Sequence, residues 1–273
     1  MEGIKLFPNV CEAVRAMERC CGANGTPIAR SEVYNETWLL RMVLSCIHDY
    51  SGSFNGCKEE IRDALIRIKD AVCVRWISEG GLQPTLKKEG TTWTDAIVGS
   101  VRIHDDVDNE IDSETKRGIL LDGNNKHVGV VVIEAKVGSK LSEGTRNYAD
   151  YNQAARNIAC LAKLVMHEPE DFIRKCAFVV LGPREAIKSK SWKGQDWNQQ
   201  RLLTNAIDVI KGKHGNGETR EYIKDKASFI KAAEMIAKTS IVVAWEDIVE
   251  SIGNTELTDF YNAVLAEYKA DNS

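Results

Sequence analysis

The stretch that most constrains this chain is Val130–Lys136, VVVIEAK. Apolar residues run without a break into an acid and a lysine separated by one residue. A strand repeats every two residues, so Glu134 and Lys136 emerge on one face. Val131, Ile133, Ala135 and Val137 point to the other face and can be buried. Charges are seldom buried unless they are paired or bound to a metal. A strand that ends this way needs a sheet around its apolar part and polar partners at its charged end.

The chain has 273 residues, 43% of them hydrophobic, enough for a substantial core. No linker rich in Pro, Gly or Ser divides it and no internal repeat is visible, so a single domain over 1–273 is expected. The net charge of -4 argues weakly against indiscriminate coating of nucleic acid and leaves a local basic patch open. The eight cysteines contain no CxxC pair, which reads as free thiols in a reducing compartment rather than a zinc site. The N-terminus, MEGIKLFPNV, lacks the features of a signal peptide. No apolar run approaches the roughly 18 residues of a membrane span. No membrane association and a cytoplasmic location are expected.

The pattern predicts a helical N-terminal part over 10–80, a core over about 31–181 and C-terminal helices with a strand over 199–270. A first short helix is expected over 10–22. Ser31 is read as the cap of a second, in which Trp38, Leu39, Met42, Val43, Cys46 and Ile47 recur at helical spacing. A third covers 57–78 and is expected to stop at Gly80-Gly81. Strands are predicted at 91–98, 119–121, 127–137, 176–181 and 240–244. Asp-Gly-Asn-Asn, before VVVIEAK, is read as a hairpin turn. Helices are predicted over 147–167, 199–211 and 219–237, with two more closing the chain and a loop over 212–217. Strands alternating with helices give an α/β (α+β) fold with a mixed sheet flanked by helices.

Glu134 and Lys136 need a second acid to make a metal site. Asp95 in TDAIV is the first candidate, 39 residues upstream. If the two strands are neighbours, Asp95 and Glu134 can share one Mg²⁺, with the backbone carbonyl of Ala135 as a further oxygen ligand. Lys136 then orients a water or holds a phosphate oxygen, a division of labour suited to phosphodiester hydrolysis. Asp122, 12 residues before Glu134, is the rival acid.

Asp95 in TDAIV followed by Glu134-Ala135-Lys136 resembles the PD-(D/E)xK nuclease superfamily, over roughly residues 32–160. In that family a metal-binding acid precedes the E-x-K strand, and a helix carrying a glutamine follows. Gln153 in YNQAARNIACLAKL matches that glutamine, and Glu36 in NETWLLRMVL matches an acid of the first core helix, with Glu32 close behind. The resemblance implies a restriction-endonuclease-like core with helical additions, Mg²⁺ with Mn²⁺ able to substitute, and DNA as substrate. It implies a nuclease, endo- or exonucleolytic, in restriction, phage defence or repair. A non-catalytic protein of the same fold, acting as a binding module, is the alternative. A homodimer would suit a double-strand cutter. The chain departs from the pattern in having Thr94 where a proline often stands, and in the long connection between the two strands.

Other features read more plainly. The acidic run 105–114 lacks the glycine of a calcium loop and reads as a solvated insertion over 104–118, able to meet a protein partner. Lys140, Arg146 and Arg156 lie near the candidate site in sequence and can meet phosphates. Lys188, Lys190, Lys193 and Arg201, interleaved with Trp192 and Trp197, form a second candidate surface. Tyr151 is expected to pack.

Overall fold

The computed structural model describes residues 33–54, 57–103, 118–189, 198–216, 219–220 and 223–270. Two helices, α1 (Glu36–Asp49) and α2 (Glu59–Val74), lead into β1 (Trp76–Leu82), β2 (Thr92–Gly99) and β3 (Val101–Ile103). β4 (Ile119–Leu121) and β5 (Val130–Ala135) follow, then α3 (Gln153–Val165), α4 (Glu170–Ile173), β6 (Ala177–Gly182) and α5 (Arg184–Lys188). The chain closes with α6 (Gln199–Gly215), α7 (Lys226–Thr239), β7 (Ile241–Ala244), α8 (Trp245–Ile252) and α9 (Thr255–Ala270).

Five strands form one mixed sheet in the order β1-β2-β5-β6-β7. The first three are antiparallel and the last three parallel. The apolar runs of β5, β6 and β7 are buried along their whole length, as expected for parallel strands covered on both faces. One face packs Ile97, Val130, Val132, Phe178 and Val180 against α3, α6 and α7. The other packs Ala96, Val98, Val131, Ile133 and Val179 against α1, α2, α8 and α9. The α/β fold with helices on both sides is the one read from the sequence. Among the described residues no helix is long and apolar enough to cross a membrane.

Several local expectations change. Ser31 and the 10–22 helix lie outside the described residues, as does the acidic run. The cap of α1 is Asn35, whose side chain accepts from the Trp38 amide at 3.1 Å. The expected helix over 57–78 ends at Val74, and Gly80-Gly81 lies inside β1 instead of stopping a helix. A Cβ on Gly80 would stand 2.7 Å from Ile97 Cδ1, so a larger residue here would displace the end of that side chain. The Asp-Gly-Asn-Asn turn does not join β4 to β5 as a hairpin: β4 pairs with β3, and β5 pairs with β2 and β6. Gly212 and Gly215 are helical in α6, and α7 starts later than read.

Candidate active site

The site lies where the C-terminal end of β5 meets β2. Ala96 pairs with Ile133, so antiparallel register sets Asp95 across from Glu134. The Asp95 carboxylate accepts from the Ala135 amide at 2.7 Å, binding the acid to the neighbouring strand. Lys136 Nζ lies 2.6 Å from Glu134 Oε1 and 3.6 Å from Asp95 Oδ2. Glu134 is 1% exposed and Lys136 8%.

Gln153 is the first residue of α3. The predicted helix start moves to this point because Asn152 caps it, accepting from the Ala155 amide at 2.9 Å. From there the Gln153 side chain donates to Glu134 Oε1 and accepts from the Ser142 amide at 3.0 Å. Asn157 lies one turn on, on the same helix face. It is fully buried and donates to Glu134 Oε2 at 3.2 Å. Sequence reading missed it; the only signal was an amide inside the apolar run NIACLA.

The strand end is fixed from three sides. The Lys136 amide donates to Leu181 O of β6 at 2.8 Å. Trp245 Nε1 donates to the Lys136 carbonyl at 2.9 Å, a second tie that sequence reading did not find. Glu36, at the start of α1, accepts from the Val137 amide at 3.0 Å.

The electrostatics are set first by burial and then by the three acids around Lys136. Burial, aided by the neighbouring Asp95 charge, pushes Glu134 up to about 8 against the pull of Lys136. Burial pulls Lys136 down, but Glu134, Asp95 and Glu36 outweigh it and hold the ammonium above its ordinary value. Burial also raises Glu36, opposed by Lys136 and the Val137 amide.

Asp95, Glu134, Lys136, Gln153 and Glu36 are thus brought together. Asp122 is not. Its amide donates to Ser100 O at 3.0 Å, at the end of β2 away from Asp95. Five residues of strand correspond to about 16 Å. Asp122 instead accepts from the Asn124 amide and the Asn125 side chain, which hold its carboxyl below the usual range. Tyr151 packs, with its hydroxyl 3.0 Å from Thr85. Lys140 is paired with Glu143, and Arg156 donates to Ser142 Oγ at 2.7 Å. Glu32, Lys190, Trp192, Lys193 and Trp197 lie outside the described residues.

The donor set suits a hard cation. Carboxylate oxygens are the ligands Mg²⁺ prefers, and Asp95 and Glu134 present two carboxylates at facing positions of adjoining strands. Among the described residues no cluster of three His, Cys, Asp or Glu side chains is spaced to hold a metal alone. Two carboxylates completed by water and substrate oxygens is the usual Mg²⁺ arrangement. Comparisons with protein-family models, curated proteins and solved structures found no match.

Proposed function

We propose that this protein is a metal-dependent deoxyribonuclease of the PD-(D/E)xK kind, hydrolysing phosphodiester bonds in DNA. The observation that carries the reading is the convergence of Asp95, Glu134 and Lys136 at adjoining positions of β2 and β5, with Gln153 on Glu134. Asp95 and Glu134 would hold Mg²⁺ or Mn²⁺, with the Ala135 carbonyl as a further oxygen donor. When bound, the ion supplies Lewis acidity at a phosphoryl oxygen and lowers the pKa of water.

The remaining work falls to the chain's own groups. Lys136 carries a proton throughout the neutral range and donates toward an attacking water or the charge developing on phosphate. Gln153 and Asn157 each hold one oxygen of Glu134, fixing the carboxylate plane. Glu36, Leu181 and Trp245 fix the backbone that carries Lys136. Restriction, phage defence and repair all suit such an activity.

One observation favours the alternative, a non-catalytic binding module. Glu134 is 1% exposed and already engaged by three donors, as in a structural ion pair. The test is cleavage of supercoiled plasmid and single-stranded DNA with Mg²⁺ or Mn²⁺. Metal-dependent cutting lost in Lys136→Ala and Glu134→Ala supports the nuclease. No cutting, with no metal bound, supports the binding module.

A further inference from the structure

We propose that Ser142 and Arg156 form a positioning pair that fixes which end of the Gln153 amide faces Glu134. The inference rests on the site reading above and deepens it, because it names what orients a side chain that in turn holds Glu134.

A carboxamide has one end that donates and one that accepts, and half a turn about its last bond exchanges them. The carboxylate of Glu134 calls for the donating end. The backbone decides, because a peptide N–H can only donate. The Ser142 amide meets Gln153 at 3.0 Å, so the atom it meets is Oε1, and Nε2 is turned to Glu134 Oε1. The reversed amide would set Nε2 against the Ser142 N–H and a carbonyl oxygen against the carboxylate, and both contacts would be lost.

Ser142 lies on the connection between Lys136 and Gln153 and is bound to α3 at two further atoms. Its carbonyl accepts from the Gln153 amide at 2.9 Å, taking up one of the N–H groups that a helix start leaves without an intrahelical partner. Its Oγ accepts from Arg156 Nη2 at 2.7 Å. Gln153 and Arg156 stand three residues apart on the helix, so their side chains reach the same point of the connection. Leu141, the preceding residue, is 1% exposed in the core that also holds Ala154 and Ala155 of α3. The amide, the carbonyl and the hydroxyl of one residue are thus all engaged by α3. The amide can orient Gln153 only while the connection stays in place, and the Arg156 bond is the tie made through a side chain. Arg156, read from the sequence as a phosphate contact, instead has its Nε buried and a donor committed to Ser142. That placement suits a tie between loop and helix.

The experiment reads the Gln153 carboxamide by NMR in EDTA without DNA, with cleavage and duplex binding measured in parallel. In wild type the Nε2 protons of Gln153 should exchange with solvent about 10-fold more slowly than those of an exposed glutamine. Ser142→Ala removes Oγ and keeps the backbone. Exchange at Nε2 should then speed up about 10-fold and single-turnover cleavage fall about 10-fold, with affinity for a labelled duplex in EDTA unchanged. Ser142→Thr restores a hydroxyl and should recover both. Arg156→Ala should match Ser142→Ala, and the double variant should be no worse than the larger single change, since both remove one bond. An Arg156 that serves phosphate gives another pattern: weaker duplex binding in EDTA, a shallower salt dependence and unchanged Nε2 exchange. That pattern overturns the pair, and so does Nε2 exchange in Ser142→Ala equal to wild type. Wild type that cuts nothing counts against the nuclease alone; slow Nε2 exchange that is lost in Ser142→Ala still supports the pair.

Discussion

Glu134 and Glu89 are both glutamates buried beside α3, and the fold treats them in opposite ways. Burial pushes both carboxyl groups up, to about 8 and about 7. Around Glu134 stand three donors, from Lys136, Gln153 and Asn157, and a second acid, Asp95. Around Glu89 no side chain donates to either oxygen among the described residues, and Arg156, Arg220 and the Leu86 backbone only temper the effect of burial. A raised pKa therefore reports lost water in both places. What sets Glu134 apart is the convergence of donors and a second carboxylate at a strand end, which desolvation does not produce.

The largest effect that sharpens this contrast is on catalysis. Glu134→Gln and Asp95→Asn should each lower single-turnover cleavage of a labelled oligonucleotide by about 10³-fold or more. Glu89→Gln should stay within about 3-fold of wild type in the same assay. A strong loss at Glu89 would break the comparison.

A smaller effect belongs to Asn157. Asn157→Leu keeps the branched shape but frees Glu134 Oε2, and Mn²⁺ affinity should fall about 10- to 100-fold in a calorimetric titration. An unchanged affinity would reduce Asn157 to a core residue.

Glu89 gives the third prediction, on stability. The folded state holds its proton up to about 7, whereas the ordinary value is 4.5. Between these values the native state binds more protons than the unfolded state, so wild-type stability falls as pH rises and levels off above about 7. Glu89→Gln removes that dependence. Its advantage over wild type should be absent below about pH 4.5 and grow to on the order of 2 kcal/mol by pH 8, read from urea melts. A gap that shrinks with rising pH would contradict the assignment.

The smallest effect is at Asp122. Asp122→Ala removes two turn hydrogen bonds, and cleavage should stay within about twofold of wild type. A large loss of cleavage would return Asp122 to the site.

Much of this contrast was legible in the chain. Asp95 and Glu134 each sit in an apolar run, and apolar runs of that length seek a common sheet, so their pairing was readable. Gln153 came from the family resemblance, in which a glutamine-bearing helix follows the E-x-K strand. β1 was not readable, because Gly80 and Gly81 are helix breakers in sequence and become strand residues only by pairing with Thr94 and Trp93 of β2. The false hairpin came from a local turn signal; register across β3 and β4 is decided by residues distant in sequence. Asn157 and Trp245 act on groups 23 and 109 residues away, which no spacing rule carries.

Under the proposed function, convergence at β5 and not burial would make the cation site. Calorimetric titration of Mn²⁺ into wild type, Glu134→Gln and Glu89→Gln tests it most directly. Saturable binding is expected for wild type and Glu89→Gln, and its loss for Glu134→Gln. Absence of binding to wild type, or binding that survives Glu134→Gln, would contradict it.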